Sequence, residues 1–167
     1  MAEVLIALGG NVGDVRATLD RAIEMLCDER DVRLVARSSD YRTPPWGVTE
    51  QPDFVNLCLV VETELSPHAL LERTQAIEKE LGRDRSKDVR WGPRTIDIDL
   101  LAYDDLEIDD PTLKLPHPHL FERAFVLVPL AEIAGDRIVG GTRIGDAAKR
   151  IDPSGITRIP PRLSQLI

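Results

Sequence analysis

Arg90-Trp91-Gly92-Pro93-Arg94-Thr95-Ile96-Asp97-Ile98-Asp99-Leu100-Leu101 carries a stiff, cationic turn straight into a strand. Ile96, Ile98 and Leu100 alternate with Thr95, Asp97 and Asp99, so a period of two puts the apolar set on one face and both carboxylates on the other. The α-carbons of the two acids are then about 6.5 Å apart, near enough to hold one pair of cations together. Two-metal sites space their ions about 3.5–4 Å apart, and magnesium takes one or two carboxylates plus substrate phosphates. A strand with one wet face shows the same alternation with no ligand at all. The approach to the strand favours a ligand: Arg83, Arg85, Lys87, Arg90 and Arg94 fall within a dozen residues of a chain whose formal net charge is -8. Local positive charge inside an acidic protein points to a small anion. A triphosphate at about −4 with two carboxylates, set against two Mg2+, leaves roughly −2, which two arginine forks match.

At 167 residues, 43% hydrophobic and 30% charged, the chain has the length for one domain with a true core, spanning residues 1–167. A pI near 4.9 argues against nucleic acid or an anionic membrane as the main partner. Cys27 and Cys58 have no CxxC spacing, which indicates neither a metal knuckle nor a disulfide framework, and a reduced, cytoplasmic home is expected. Met1 to Leu8 lacks a basic leader region, and no apolar run reaches membrane length.

The rest of the chain supplies the elements around that strand. Val4 to Leu8 is a continuous apolar run ending in the breaker cluster Gly9-Gly10-Asn11. Gly9, Gly10 and Gly13 do not make GxGxxG, and no Lys-Ser/Thr follows, so a tight strand-to-helix turn is expected rather than a phosphate loop. Asp14 caps a helix with Val15, Leu19, Ala22, Ile23 and Leu26 on its buried stripe, ending near Cys27. Val32 to Tyr41 reads as one strand. Thr43-Pro44-Pro45-Trp46-Gly47 and Gln51-Pro52-Asp53 form a proline-stiffened loop, with Trp46 either displayed to a flat ligand or plugged into the core. In the strand from Phe54 to Thr63, Val55, Leu57, Leu59 and Val61 share one face, and Phe54, Asn56 and Cys58 the other. Asn56 is the odd polar residue on that second face, an amide suited to a heterocycle's edge or to loop backbone.

Ser66-Pro67 starts a second helix that Gly82 ends, with Leu70, Leu71, Thr74, Ile77 and Leu81 buried. Gln75 and Glu78 lie three apart on one flank, which residue type alone turns toward water. Tyr103 to Leu106 is a turn, and Leu115-Pro116-His117-Pro118-His119 is expected to be extended and to lack the soft ligands of a metal site. Phe125 to Ile133 is helical with Pro129 as a kink, and the extension from about residue 134 to 167 carries no identifiable chemistry. Strand, helix, strand, strand, helix, strand is the α+β, ferredoxin-like βαββαβ order, a mainly antiparallel sheet with helices packed on one face, here within a core of about residues 3–133. That fold hosts many activities and chooses none.

Ala7-Leu8-Gly9-Gly10-Asn11, Tyr41-Arg42-Thr43-Pro44-Pro45, Phe54-Val55-Asn56 and, above all, the string from Arg90 to Leu101 resemble the 6-hydroxymethyl-7,8-dihydropterin pyrophosphokinases of folate synthesis, in order from about Val4 to about Ile133. The resemblance implies transfer of the β,γ-diphosphoryl unit of MgATP to the hydroxymethyl group of a dihydropterin, releasing AMP. It implies Asp97 and Asp99 as ligands of two Mg2+ ions, and Arg83 and Arg94 as arginines acting on the phosphates. Leu71, Gln75, Glu78, Arg85, Trp91, Ile98, His117 and Arg123 are the further expected contacts of ATP. Thr43, Pro44, Pro45, Trp46, Phe54, Asn56, Trp91, Asp97 and Phe125 are expected around the pterin. A monomer is expected. The chain departs from the family pattern at Gly10, where serine is frequent, at Asp84 and at His119, where arginine is frequent. Two other readings stay open on the residues alone: a two-metal nucleotidyl transferase or cyclase on the same fold, and a non-catalytic nucleotide-sensing module.

Overall fold

The computed structural model describes residues 1–45, 50–83 and 95–162. β1 (Ala2–Gly10) runs through the middle of a six-stranded antiparallel sheet, paired on one side with β4 (Phe54–Thr63) and on the other with β5 (Asp97–Tyr103). β2 (Val32–Arg37) and β3 (Asp40–Thr43) both lie along the far edge of β4. The single strand expected from residue 32 to 41 is therefore two. The break is made by Ser38, whose hydroxyl accepts the Cys58 N–H at 2.9 Å, where a backbone carbonyl would otherwise continue the ladder.

α1 (Val15–Leu26) begins where the Asp14 side chain accepts the Ala17 N–H, and α2 (Pro67–Glu80) begins at Ser66, with Pro67 in the first turn and Gly82 beyond the end at φ +97°. These two helices cover one face of the sheet. Leu19, Ala22, Leu26, Leu70 and Ile77 meet Val4, Ile6, Leu8, Leu57, Leu59, Ile96 and Ile98 there. The opposite face is covered as well. α3 (Ala124–Ala134) packs on β4, and α4 (Ile144–Arg150) on α3, burying Leu5, Cys58, Val60, Leu101 and Ala102. Burial on both faces explains why β1 reads as an unbroken apolar run rather than an alternation.

One irregularity sets the orientation of the acids. Leu5 pairs with Ala102 but Ile6 with Leu100, so Leu101 is an extra residue in β5. Leu100 thus joins the core under α1 and α2, while Leu101 and Ala102 join the core under α3. Asp97 and Asp99 alternate with Ile96, Ile98 and Leu100 as expected, and open onto the α3 side of the sheet.

β6 (Ile108–Asp109) and β7 (Lys114–Leu115) form a small hairpin after Tyr103. The stretch after it is not extended, in contrast to the sequence expectation. The Leu115–Pro116 peptide is cis, and the Leu120 N–H bonds back to the His117 carbonyl at 3.1 Å, so the histidines occupy a turn. In the C-terminal extension, β8 (Ile138–Val139) and β9 (Thr142–Arg143) meet across Gly140 and Gly141, both at positive φ as such a two-residue turn requires. β10 (Thr157–Ile159) then returns to the main sheet and pairs with β3. No helix among the described residues is long and apolar enough to cross a membrane.

Candidate active site

Three strands place the central row. Asn56 of β4 stands opposite Gly9 of β1, and Gly9 stands opposite Asp97 of β5. Gly9 is required by closeness: a Cβ there would lie 2.1 Å from Asn56 Oδ1 and 3.3 Å from the Val55 carbonyl oxygen. The Asn56 amide thus lies over bare backbone, and its Nδ2 donates to Thr43 Oγ1 at 2.8 Å. Behind it, buried Asn11 donates from Nδ2 to Gln51 Oε1 and to the Pro52 carbonyl, both at 2.9 Å, fixing the segment that leads into β4. Neither Gly9 nor Asn11 stands among the sequence-assigned site residues. Their only trace in the sequence is the Gly-Gly-Asn cluster at the end of β1.

The acids sit in a charged network. Arg83 Nη1 donates to Asp97 Oδ1 at 2.7 Å, to Glu78 Oε2 at 3.0 Å and to the Ile96 carbonyl at 3.2 Å. Glu78 Oε2 also accepts the Ile98 N–H at 2.8 Å. The Arg83 and Glu78 side chains are only 6% and 2% exposed, whereas Asp97 is 38% exposed and faces the open space. Glu78 therefore does not face water, as residue type suggested, but braces Arg83 and β5 from below. Ile98, expected against the nucleotide, has its side chain in the core and its N–H on Glu78. Burial, with Asp97 next in weight, pushes the Asp99 carboxyl up to about 7, while Arg123 and Arg83 pull it down. Asp97, Asp99 and Glu78 set three carboxylates against Arg83 and Arg123, a formal excess of one negative charge, which is the condition a divalent cation relieves.

The donor set fits such an ion. Among the described residues, no three His, Cys, Asp or Glu side chains form a complete metal cage. Two hard carboxylate ligands with the remaining positions open match magnesium completed by substrate oxygens, and do not match zinc.

A cleft of about 590 Å³ joins the acids to the amide. Thr43, Pro44, Phe54 and Asn56 line one part of it, and Asp97, Asp99, Arg123 and Phe125 the other. The Arg123 guanidinium sits 5.7 Å from the centroid of the Phe125 ring, at the start of α3. His117 flanks β5 through its N–H to the Leu101 carbonyl at 2.8 Å. Its ring Nδ1 accepts the His119 N–H at 3.1 Å, so the neutral imidazole carries its proton on Nε2. Burial, then Arg123 and His119, drive the His117 pKa down to about 4, which keeps the ring neutral near pH 7. His119 itself pairs with Glu122 at 2.8 Å. On α2, Leu71 is half-buried and Gln75 exposed, and neither lines the cleft. Pro45 is half-buried beside it. Trp46, Arg85, Trp91 and Arg94 lie outside the described residues. Ile151, Asp152, Ser154 and Ile156 of the extension also line the cleft, where the sequence offered no sign of a site. A larger groove of about 750 Å³ runs between α3 and α4 but holds none of these groups, and its arginines are paired, Arg137 with Glu3 and Arg143 with Asp136 and Asp146.

Comparison with known proteins bears on the same residues. The profile of the family described as 7,8-dihydro-6-hydroxymethylpterin-pyrophosphokinase (HPPK) matches residues 5–135. The chain is 52% identical over 159 residues to the 2-amino-4-hydroxy-6-hydroxymethyldihydropteridine pyrophosphokinase of Methylorubrum extorquens, covering 95% of this chain and 99% of that one. With the enzyme of the same name from Bacillus subtilis the identity is 47% over 128 residues, 77% of this chain and 75% of that one. With that of Pseudomonas aeruginosa it is 42% over 159 residues, 95% and 97%. Among solved structures, an HPPK-DHPS in complex with substrates superposes with a TM-score of 0.71 at 14% identity, covering 94% of this chain and 46% of that chain. Wild-type Plasmodium falciparum HPPK-DHPS with pterin and p-hydroxybenzoate gives 0.70 at 15% identity, covering 94% and 45%. The chain thus spans a little under half of those structures, and at such low identity they speak for the fold alone. The match across residues 5–135, which holds the Asn56–Gly9–Asp97 row, together with 52% identity over nearly the whole length of a relative, decides the family: this chain belongs to the 7,8-dihydro-6-hydroxymethylpterin pyrophosphokinases.

Proposed function

We propose that the cleft between β4 and β5 seats a dihydropterin beside the triphosphate of ATP, and that the side chains described above carry out the family reaction there. That reaction is transfer of diphosphate from ATP to 6-hydroxymethyl-7,8-dihydropterin in folate synthesis. The observation that carries the proposal is the row Asn56, Gly9, Asp97 on three adjacent strands. It separates an amide from an acid by two strand spacings, about 9.5 Å, a span suited to a heterocycle at one end and a reacting phosphate at the other. Asn56 presents an amide oxygen and, through Nδ2, its tie to Thr43, a donor and acceptor pattern matched to the edge of a pterin. Phe54 and Phe125 line the same space and supply apolar faces for the ring.

Asp97 and Asp99 would hold two Mg2+ ions, which when bound neutralise and polarise the phosphate oxygens. Arg83 already carries a hydrogen bond to Asp97 and is braced by Glu78, so its fork is oriented before any phosphate arrives. Arg123 brings a second cation over Phe125, and neutral His117 offers an Nε2 proton to an acceptor. The hydroxymethyl oxygen then attacks the β-phosphorus in line and AMP leaves, with positioning and charge neutralisation doing most of the work. The reading extends to a monomer and to the cytoplasm, the latter supported by the free, at least partly buried thiols of Cys27 and Cys58.

Phosphorus NMR of a turnover mixture containing ATP, magnesium and the dihydropterin alcohol tests this. AMP together with an intact diphosphate ester is expected. Free diphosphate with a nucleotidyl product contradicts it, because that outcome places attack on the α-phosphorus.

A further inference from the structure

The segment after α4 is the part of the cleft that the conspicuous motifs leave out. Ile151, Asp152, Ser154 and Ile156 line the same space as Pro44 and Asn56. Three separate features hold the segment there. β10 pairs along β3, with Thr157 opposite Arg42 and Ile159 opposite Asp40, and so extends the sheet beside the strand that ends at Thr43. Gly155, at φ +82°, lies against Pro44, where a Cβ would be 3.1 Å from Cγ and 3.3 Å from Cδ. Arg16 fastens the far end, donating from Nε to the buried Asp40 carboxylate at 2.8 Å and from Nη2 to the Pro160 carbonyl at 2.9 Å. The stretch between these anchors is itself closed by a turn, since Asp152 Oδ1 accepts both the N–H and the hydroxyl of Ser154, at 2.9 and 2.5 Å. At its start, Ile151 packs against the same core cluster as Phe125.

We propose that this C-terminal strap, Ile151 to Pro160, is the outer wall of the half-cleft that takes the pterin, with Ile151 and Ile156 presenting apolar surface to the heterocycle and Gly155 setting where Pro44 stands. The inference rests on the pterin reading given above and adds a wall to it. A flat bicycle has a polar edge and two apolar faces. Asn56 serves the edge, but affinity also requires that the faces leave water. Apolar side chains on a strap tied at both ends provide that cover without an ordering cost at each binding event. Gly155 suits its place twice over, since its φ disfavours any side chain and its contact with Pro44 leaves no room for one without displacement.

The test uses the whole chain and two titrations, 6-hydroxymethylpterin followed by its own fluorescence and a non-hydrolysable MgATP analogue followed by calorimetry. Ile156→Ala is expected to raise the pterin Kd about tenfold, as loss of one apolar cover over a ring does, with the analogue Kd and the melting temperature unchanged. Gly155→Ala, which displaces Pro44, is expected to raise the pterin Kd with the analogue Kd unchanged and the melting temperature lowered by the strain at φ +82°. Ile156→Leu is expected to bind pterin as the wild type does. Equal pterin affinity in the wild type and both alanine variants overturns the strap while leaving the pterin site standing. A parallel loss of both ligands in either variant, or of thermal stability in Ile156→Ala, makes the segment a structural prop and overturns it too. A wild-type chain that fails to bind the pterin at all sinks the reading beneath it instead.

Discussion

Asp99 and His117 show how burial writes pH dependence into single side chains. The Asp99 carboxyl, raised from 3.8 to about 7, keeps its proton in the folded chain over a range where the unfolded chain has lost it. Stability therefore falls as pH rises between those values and levels off above about 7. His117, lowered from 6.5 to about 4, works the other way, costing stability as pH falls through its own window. The two effects overlap and oppose each other, so single variants are needed to see either. Asp99→Asn is expected to stabilise the metal-free protein at pH 8 and to leave it nearly unchanged at pH 4, as read by thermal melts at both values. Gly9→Ala is a sharper probe of the central row. A methyl group 2.1 Å from Asn56 Oδ1 displaces the amide, and steady-state kinetics should show KM for the dihydropterin rising about tenfold or more, with KM for ATP little changed.

Elements were readable in the sequence where a local device sets their ends, and unreadable where a distant partner does. α1 and α2 follow from Asp14, Ser66-Pro67 and Gly82, and β4 follows from its alternation, all within a few residues of each other. The break between β2 and β3 depends on Ser38 reaching Cys58, twenty residues away, and β10 is a short polar strand defined only by the edge of β3. The turn at His117 to Leu120 is hidden in the sequence for a similar reason, because proline restricts the residue before it without saying which way the chain then bends. In the site, the paired acids and Asn56 were visible as polar interruptions of apolar patterns. Glu78 was not: residue type turns a helical glutamate toward water, and only the family resemblance set it at the site, as a contact of ATP rather than the buried brace of Arg83. Removing it tests that role: Glu78→Ala strips Arg83 and the Ile98 N–H of a buried acceptor. It should cost about 3–5 kcal/mol in denaturant unfolding, and Glu78→Gln less.

The whole molecule places a metal-ready cleft, whose described lining sets Asp97, Asp99, Glu122 and Asp152 against Arg123, in a chain of net charge -8, so ligand and ion have to arrive together. An ATP analogue with magnesium should raise the melting temperature, by the equivalent of about 2.7 kcal/mol at a hundred times its Kd. With chelator present, the same analogue should give little or no shift, because Asp97 and Asp99 then repel the triphosphate. The sheet, sealed on both faces, leaves the α3-side end of β1, β4 and β5 as the place where polar side chains meet open space. The most direct test of the account is pterin-dependent AMP release, measured at saturating magnesium for the wild-type chain and for Asp97→Ala. The wild type should turn over, and the variant should lose a factor of about 100 or more while still binding the pterin. A variant that releases AMP at close to the wild-type rate contradicts it.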